Sequence, residues 1–485
     1  MEPDDATARQ SGGPATPGPA GFSGAVRGIL DGVKRWKWLV FAVCAAAFVA
    51  GPAIAAFDDA ERYDETEQSD WIPTNMWLKS AECAREEGAW LAICDDGLLV
   101  PMSEYSFGDD PGHALSLGLW AMATDDAVSL VDVARLNVTL NTAGLVVLAA
   151  FLFALHTPLA SIALLMLGPV AYLQWNGVSP HWGLIGTASL ALILPMALIA
   201  RDYGLLSRRS GDAWVAAGIV GLALAALLRE PIGVMCLTVS LAVMGFLIVR
   251  RWRTGRRFRG LLVTASIVLV ASASATWAVM ARDASFEMEP AQRVATHNFS
   301  HTLYIGLGAV PNDFGIRYED EAARSAVERV APGVLNSSPE YYRILWSLYW
   351  NRISDAPAEV MRIYFEKAKR ILADPILDSA PPLMIVVIAM TVHFAVTTAF
   401  GAWQRIGFPQ GALIEGAALA LIGLFVLQAI LASHNRMFAM PIGAALVMLL
   451  GVLLEFGARS AMVLVTRART GRATSGETSS TGTPR

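Results

Sequence analysis

The apolar residues of this chain come in blocks of about 20, separated by short polar joints, and that spacing constrains the fold more than any other feature. A run of this length crosses a ~30 Å hydrocarbon layer as a helix, which satisfies every backbone N–H and C=O within the segment. Barrel strands would instead alternate apolar and polar residues over about 10 positions. The blocks fall at 38–57, 134–155, 159–175, 183–200, 213–229, 232–249, 260–281, 382–402, 412–432 and 438–456. With 54% hydrophobic residues, 16% charged residues and a mean hydropathy of +0.46, the composition lies well beyond that of a soluble domain. The expected fold is an all-α polytopic membrane protein of about ten transmembrane helices with two long extracytoplasmic segments.

The net charge of −5 hides a strong asymmetry. Lys34, Arg35 and Lys37 precede the first block; Arg201, Arg208 and Arg209 follow the fourth; Arg250, Arg251, Arg253, Arg256, Arg257 and Arg259 follow the sixth. Arg405 follows the eighth block, and Arg459, Arg467, Arg469 and Arg472 follow the tenth. All these clusters fall on one side, and the positive-inside rule makes that side cytoplasmic, together with both termini. The expected location is the cytoplasmic membrane, crossed many times. The stretch from Asp58 to Val133, which holds eighteen Asp and Glu against Arg62, Lys79 and Arg85, then lies outside.

The resulting division is a disordered cytoplasmic leader over 1–33 and a membrane region over 34–281 of about seven helices that includes the acidic outer loop 58–133. An extracytoplasmic helical segment over 282–381, a membrane region of about three helices over 382–456 and a cytoplasmic tail over 457–485 follow. The first block is read as a retained signal-anchor, since no clear cleavage site lies between Cys44 and the acidic run. Within the second outer segment, 340–348 and 356–372 look helical, the latter with Val360, Ile363, Tyr364 and Ile371 on one face. No inverted repeat is visible, which counts against a typical secondary transporter.

Cys44 and Cys236 sit in apolar blocks as small apolar residues, whereas Cys83 and Cys94 share the first outer loop. Outside the cytoplasm these two can close a disulfide; a zinc pair lacks its second pair of ligands. The carboxylate pair Asp58-Asp59 opens the run Asp58-Asp59-Ala60-Glu61-Arg62-Tyr63-Asp64-Glu65, where the first helix leaves the membrane. Bare charge beside hydrocarbon is costly, so the pair is either a solvated helix end or a device for chemistry on a membrane-held substrate.

Other polar residues mark the same face. Arg229 and Glu230 end the fifth block, either as a mutual ion pair or as a phosphate-binding arginine with its partner. Arg436 is the sole basic residue of a short outer turn. His181 lies beside Trp182 in the turn after Trp175, the tryptophans being interfacial anchors. His297 and His301 are four apart, hence on one face if helical, but without the glutamate of a zinc-protease motif. Acceptor binding or structural hydrogen bonding suits them better. Asp109-Asp110-Pro111-Gly112-His113 reads as a turn before a helix, or as an added metal ligand or acceptor contact.

The chain resembles the GT-C superfamily of integral membrane glycosyltransferases, which includes lipid-A aminoarabinose transferases and protein O-mannosyltransferases. Asp58-Asp59-Ala60-Glu61-Arg62-Tyr63 looks like the acidic motif those enzymes carry after their first span, with Asp replacing the usual Glu and a different spacing. Arg229-Glu230-Pro231 resembles their Arg-Pro motif, and His434-Asn435-Arg436-Met437-Phe438 with Pro441 resembles the signature that opens their last span.

The resemblance implies transfer of a hexosyl or pentosyl unit from a polyprenyl-phosphate sugar to a cell-envelope glycan, lipid or protein on the outer face. Asp58 or Asp59 would be the base. Arg62, Tyr63, His181, Arg229, Glu230 and Arg436 would bind donor phosphate and sugar, and His297 and His301 the acceptor. A carboxylate can take the acceptor hydroxyl proton, and negative charge helps an oxocarbenium-like transition state. Arginine suits a phosphate leaving group. No Gly-rich phosphate loop is present, and no nucleic acid partner is expected. No cofactor is firmly implied; Mg²⁺ or Mn²⁺ in the acidic loop is compatible with the sequence but has no specific ligand spacing behind it. The alternatives are an O-antigen-type polymerase or ligase, and a transporter of lipid-linked sugars or other solutes.

Overall fold

The computed structural model describes residues 36, 38–59, 72–95, 98–102, 111–173, 184–286, 299–373, 382–432 and 440–477. The first apolar block forms α1 (Trp38–Asp58), and its last turn continues to Asp59. Over Val49–Ala53 it widens into a π-helical turn that contains Pro52, whose missing N–H breaks the regular ladder.

A small polar unit follows, built from α2 (Ile72–Glu87), β1 (Ala92–Asp95), β2 (Leu98–Pro101) and α3 (Pro111–Thr124). The strands form an antiparallel hairpin that pairs Ala92 with Pro101 and Asp95 with Leu98, a β element that the helical patterning did not announce. A disulfide joins Cys83 of α2 to Cys94 of β1. Trp77, Ala81, Ile93, Met102 and Leu117 make the core of this unit. So small a core gains from a covalent tie.

The main bundle begins with α4 (Leu130–Ala154), α5 (Pro158–Leu173), α6 (Leu184–Asp202), α7 (Arg208–Leu228) and α8 (Glu230–Arg253). Asp132 starts α4 by accepting the Ser129 N–H at 2.9 Å, and Ser207 Oγ accepts the Ser210 N–H at the start of α7. Arg229 is the hinge residue between α7 and α8, in extended conformation. Pro231 enforces this break, because its ring would clash with a continuing helical turn. Two shorter helices, α9 (Arg259–Ser272) and α10 (Ser274–Ser285), meet at a 53° bend.

Buried α6 sits at the centre of these helices. A Cβ on Gly144 of α4 would overlap the backbone of Gly186 of α6, so the two backbones touch. Small residues permit such approach where lipid supplies no hydrophobic drive between helices. Asn141 Oδ1 accepts the Gly186 N–H at 2.8 Å, which satisfies one of the donors left open at a helix start.

The second long segment folds as α11 (Phe299–Gly306), α12 (Asp320–Val330), α13 (Pro339–Asp355) and α14 (Pro357–Ala373). Their common core holds Tyr304, Tyr341, Tyr342, Leu345 and Ile363. The helices expected within 340–348 and 356–372 are α13 and α14, the former longer because Ser338 caps it with Oγ on the Tyr341 N–H.

The chain ends with α15 (Leu383–Ala399), α16 (Ala402–Arg405), α17 (Pro409–Leu431) and α18 (Met440–Glu477). Each of the ten apolar blocks is mostly helical where described, with breaks at Arg229, Ala273 and Phe400–Gly401. Six helices among the described residues are long and apolar enough to cross a membrane: α1, α4, α7, α8, α17 and the Ile442–Thr466 part of α18. The bent α9–α10 pair is a seventh if it forms one span, and α5 and α15 are shorter apolar helices. The chain is a helical membrane protein.

Basic side chains tie together one end of the bundle. Arg459 donates to the carbonyls of Gly407 and His156 at 3.0 and 2.8 Å, while Glu455 accepts from Arg459 Nε and the Leu159 N–H, both at 2.8 Å. Buried Asp202 pairs with Arg250 and Arg251. The α4–α5, α6–α7, α8–α9 and α16–α17 turns thus gather at a basic end. The opposite, acidic end carries the disulfide-linked unit.

Candidate functional site at the acidic end

Six helix ends meet here, those of α1, α7 and α10 and the starts of α3, α4 and α8. Arg135, one turn into α4, lies over the ring of Phe57 in the last turn of α1, 5.0 Å from its centroid. Phe57 directly precedes Asp58, whose side chain is exposed. The first of the two expected base residues therefore stands at a helix end shared with a guanidinium. Asp59 closes that helix.

Behind this edge α3 is pressed onto the end of α7: a Cβ on Gly112 would meet the Leu227 carbonyl at 2.8 Å. The close approach buries His113. Its ring stacks on buried Trp77 with centroids 4.3 Å apart and planes 9° apart, and Nε2 lies 3.3 Å from Asn137 Oδ1 of α4. Burial drives the imidazole pKa down to about 4; the Arg229 charge pushes the same way, and the Asn137 bond offsets only part of this. His113 is thus a neutral imidazole at physiological pH, wedged between the disulfide-linked unit and the α7–α8 hinge. Arg229 stands close enough for its charge to act on that ring.

A second guanidinium is buried at the end of α10, which packs against α3 and α7. Arg282 Nε and Nη2 both donate to Asp283 Oδ1, at 2.9 and 2.6 Å, and Arg282 Nη1 has no hydrogen-bond partner among the described residues. A buried guanidinium with an open donor is costly unless something with negative charge completes it.

Of the residues expected to form the site, Asp58, Arg229 and Glu230 belong to this end. Arg62, Tyr63, His181, His297 and Arg436 lie outside the described residues. His301 is described and buried, with Nε2 2.9 Å from Asp320 Oδ1 and Nδ1 3.2 Å from Tyr341 Oη. Both ring nitrogens are engaged, so His301 ties α11 to α12 and α13, which is the structural alternative raised for it. No group of three or more His, Cys, Asp or Glu able to hold a metal is assembled among the described residues.

His113, Arg135 and Arg282 were not singled out as site residues by sequence reasoning, apart from His113 as an optional contact after Asp110. His113 gains its role from Trp77 and Asn137, which lie far away in sequence. Chemically, the acidic end offers an exposed carboxylate at the end of α1, guanidinium groups from α4, α10 and the α7–α8 hinge, and a neutral imidazole. Comparison with protein families, with curated proteins and with solved structures returns no match for this chain.

Proposed function

We propose that this chain is a GT-C-type integral membrane glycosyltransferase that moves a sugar from a polyprenyl-phosphate donor to an envelope glycan, lipid or protein acceptor. In this reading the ten apolar blocks are ten spans, the basic end faces the cytoplasm with both termini, and the acidic end works on the outer face. The observation that carries the proposal is the contact of Arg135 with Phe57, which stations a guanidinium beside the Asp58-Asp59 helix end. A base for the acceptor hydroxyl and a cation for the donor phosphate are the two parts such a transfer requires. Arg229 and Arg282, at the same end, add cations for the phosphate leaving group.

One observation favours a transporter instead: His393 and Glu415 are hydrogen bonded between the apolar helices α15 and α17, and carriers place ionisable groups within their spans. Removing the protein from its host and surveying lipid-linked and envelope sugars separates the two. A transferase leaves its polyprenyl-phosphate sugar accumulating on the outer leaflet while one glycan disappears. A carrier leaves the same lipid stranded on the cytoplasmic leaflet, and that result would refute the transferase reading.

A further inference from the structure

Glu415 lies six residues into α17, and His393 lies six residues before the end of α15, so each sits ~9 Å along its helix from the turn that carries Arg405. His393 Nδ1 and Glu415 Oε1 are 2.8 Å apart. Glu415 has 0% of its side chain exposed, and its second oxygen, Oε2, has no hydrogen-bond partner among the described residues. The rings of Trp403 and Phe456 stand edge-on to the imidazole, with centroids 5.7 and 5.1 Å away. Trp403 Nε1, also buried, makes no hydrogen bond among the described residues.

A carboxylate in this position would have one oxygen in contact with a single polar group and the other with none. Buried ion pairs persist only where further hydrogen bonds satisfy the remaining lone pairs. The cheaper arrangement is neutral, with one proton between Oε1 and Nδ1 and no net charge on either ring or carboxyl. Neighbouring charges do not alter this balance. Lys367 of α14 is bound by carbonyls at the far end of α17, Glu455 of α18 by Arg459, Asp202 of α6 by Arg250 and Arg251 of α8, and His301 of α11 by Asp320.

We propose that His393 and Glu415 form an intramembrane proton-binding site, loaded at neutral pH, whose occupancy seats α15 on α17. The proton exchanges through His393, which keeps 22% of its side chain exposed whereas Glu415 keeps none. Loss of the proton would leave a net negative charge between two apolar helices and drive them apart. The site does not rest on the glycosyl-transfer reading.

The test is infrared spectroscopy of the full chain in lipid nanodiscs. At neutral pH the wild type is expected to show a protonated-carboxyl band that shifts on labelling glutamate with ¹³C and disappears in Glu415→Gln. His393→Leu keeps the band but moves it to higher frequency, because the hydrogen bond is gone. At alkaline pH the wild-type band is lost and amide hydrogen exchange across α15 rises, whereas in Glu415→Gln that exchange follows only the intrinsic pH dependence. If Glu415→Gln fails to insert, His393→Leu decides: the ¹³C-sensitive band must move to higher frequency, because the carboxyl bonded to His393 Nδ1 is the one that loses a partner. A wild type that shows only ¹³C-sensitive carboxylate bands at neutral pH, or α15 exchange with the same pH profile in both proteins, overturns the proposal.

Discussion

Arg135 stacks over Phe57 at 5.0 Å and thereby fixes a positive charge next to the residue pair that ends the first helix. A cation held over an aromatic ring gains about 0.5–2 kcal/mol, and the ring also limits where the guanidinium can go. In the proposed reaction that guanidinium meets the donor phosphate. Arg135→Ala should lower sugar transfer by about ten-fold or more, a loss of ~1.4 kcal/mol of transition-state stabilisation, with insertion unchanged. Arg135→Lys should restore part of it, since the point charge remains and the bidentate fork does not. Initial rates in membranes from each variant provide the measurement.

His113 makes the stability of the acidic end depend on pH. Its pKa falls from 6.5 in the unfolded chain to about 4 in the folded one, so between these values the unfolded state binds more protons. The contribution is therefore complete above pH 6.5, declines as pH falls towards 4 and is lost below that. The shift corresponds to about 3 kcal/mol over that window. His113→Phe keeps the stack on Trp77 and should remove this pH dependence. Thermal unfolding of the detergent-solubilised chain across that pH range measures it; parallel curves for the two proteins would contradict the assignment.

Lys367 bridges the α11–α14 unit to the bundle. Its Nζ lies 3.0 Å from the carbonyls of Gly306, Leu431 and Ala432, the last two at the end of α17. The α17 carbonyls have no intrahelical donor, and the closeness of Gly306 to them excludes a larger residue there. Lys367→Met keeps the length of the side chain but leaves three buried acceptors open. It should destabilise the chain by about 3 kcal/mol or more and raise hydrogen exchange in α11 and α14 before the rest of the molecule.

Much of this architecture is readable in the sequence because membrane helices report themselves by block length. The break at Arg229 is legible for the same local reason, since Pro231 stops a continuing helix. What depends on contacts between distant residues is not. His113 acquires its environment from Trp77 and Asn137, and nothing near it in sequence announces either. The His393–Glu415 pair is separated by 22 positions and diluted among apolar neighbours. A lone acid within an apolar block was the available signal. Lys367 offered one too: it falls on the apolar stripe of α14 with Val360, Ile363 and Ile371, where a solvated lysine would not.

The disulfide should matter to the acidic end specifically. Cys83 and Cys94 are 11 residues apart, and closing a loop of that size is worth about 2–3 kcal/mol. Replacing both with alanine should loosen α2 and the hairpin, seen as faster proteolysis within 72–101 and weaker transfer, while the basic end stays intact. Equal proteolysis of wild type and variant would contradict this.

The central claim is that the end of the first helix supplies the base. The most direct measurement reconstitutes the purified chain in vesicles with a labelled polyprenyl-phosphate sugar and acceptor-bearing membranes, and compares Asp58→Asn, Asp59→Asn and the double variant with wild type. Loss of a general base typically removes about 10²–10⁴ of the rate. One single variant and the double variant should fall by that amount, with donor binding and insertion preserved. Full transfer by both single variants and by the double variant would contradict the account.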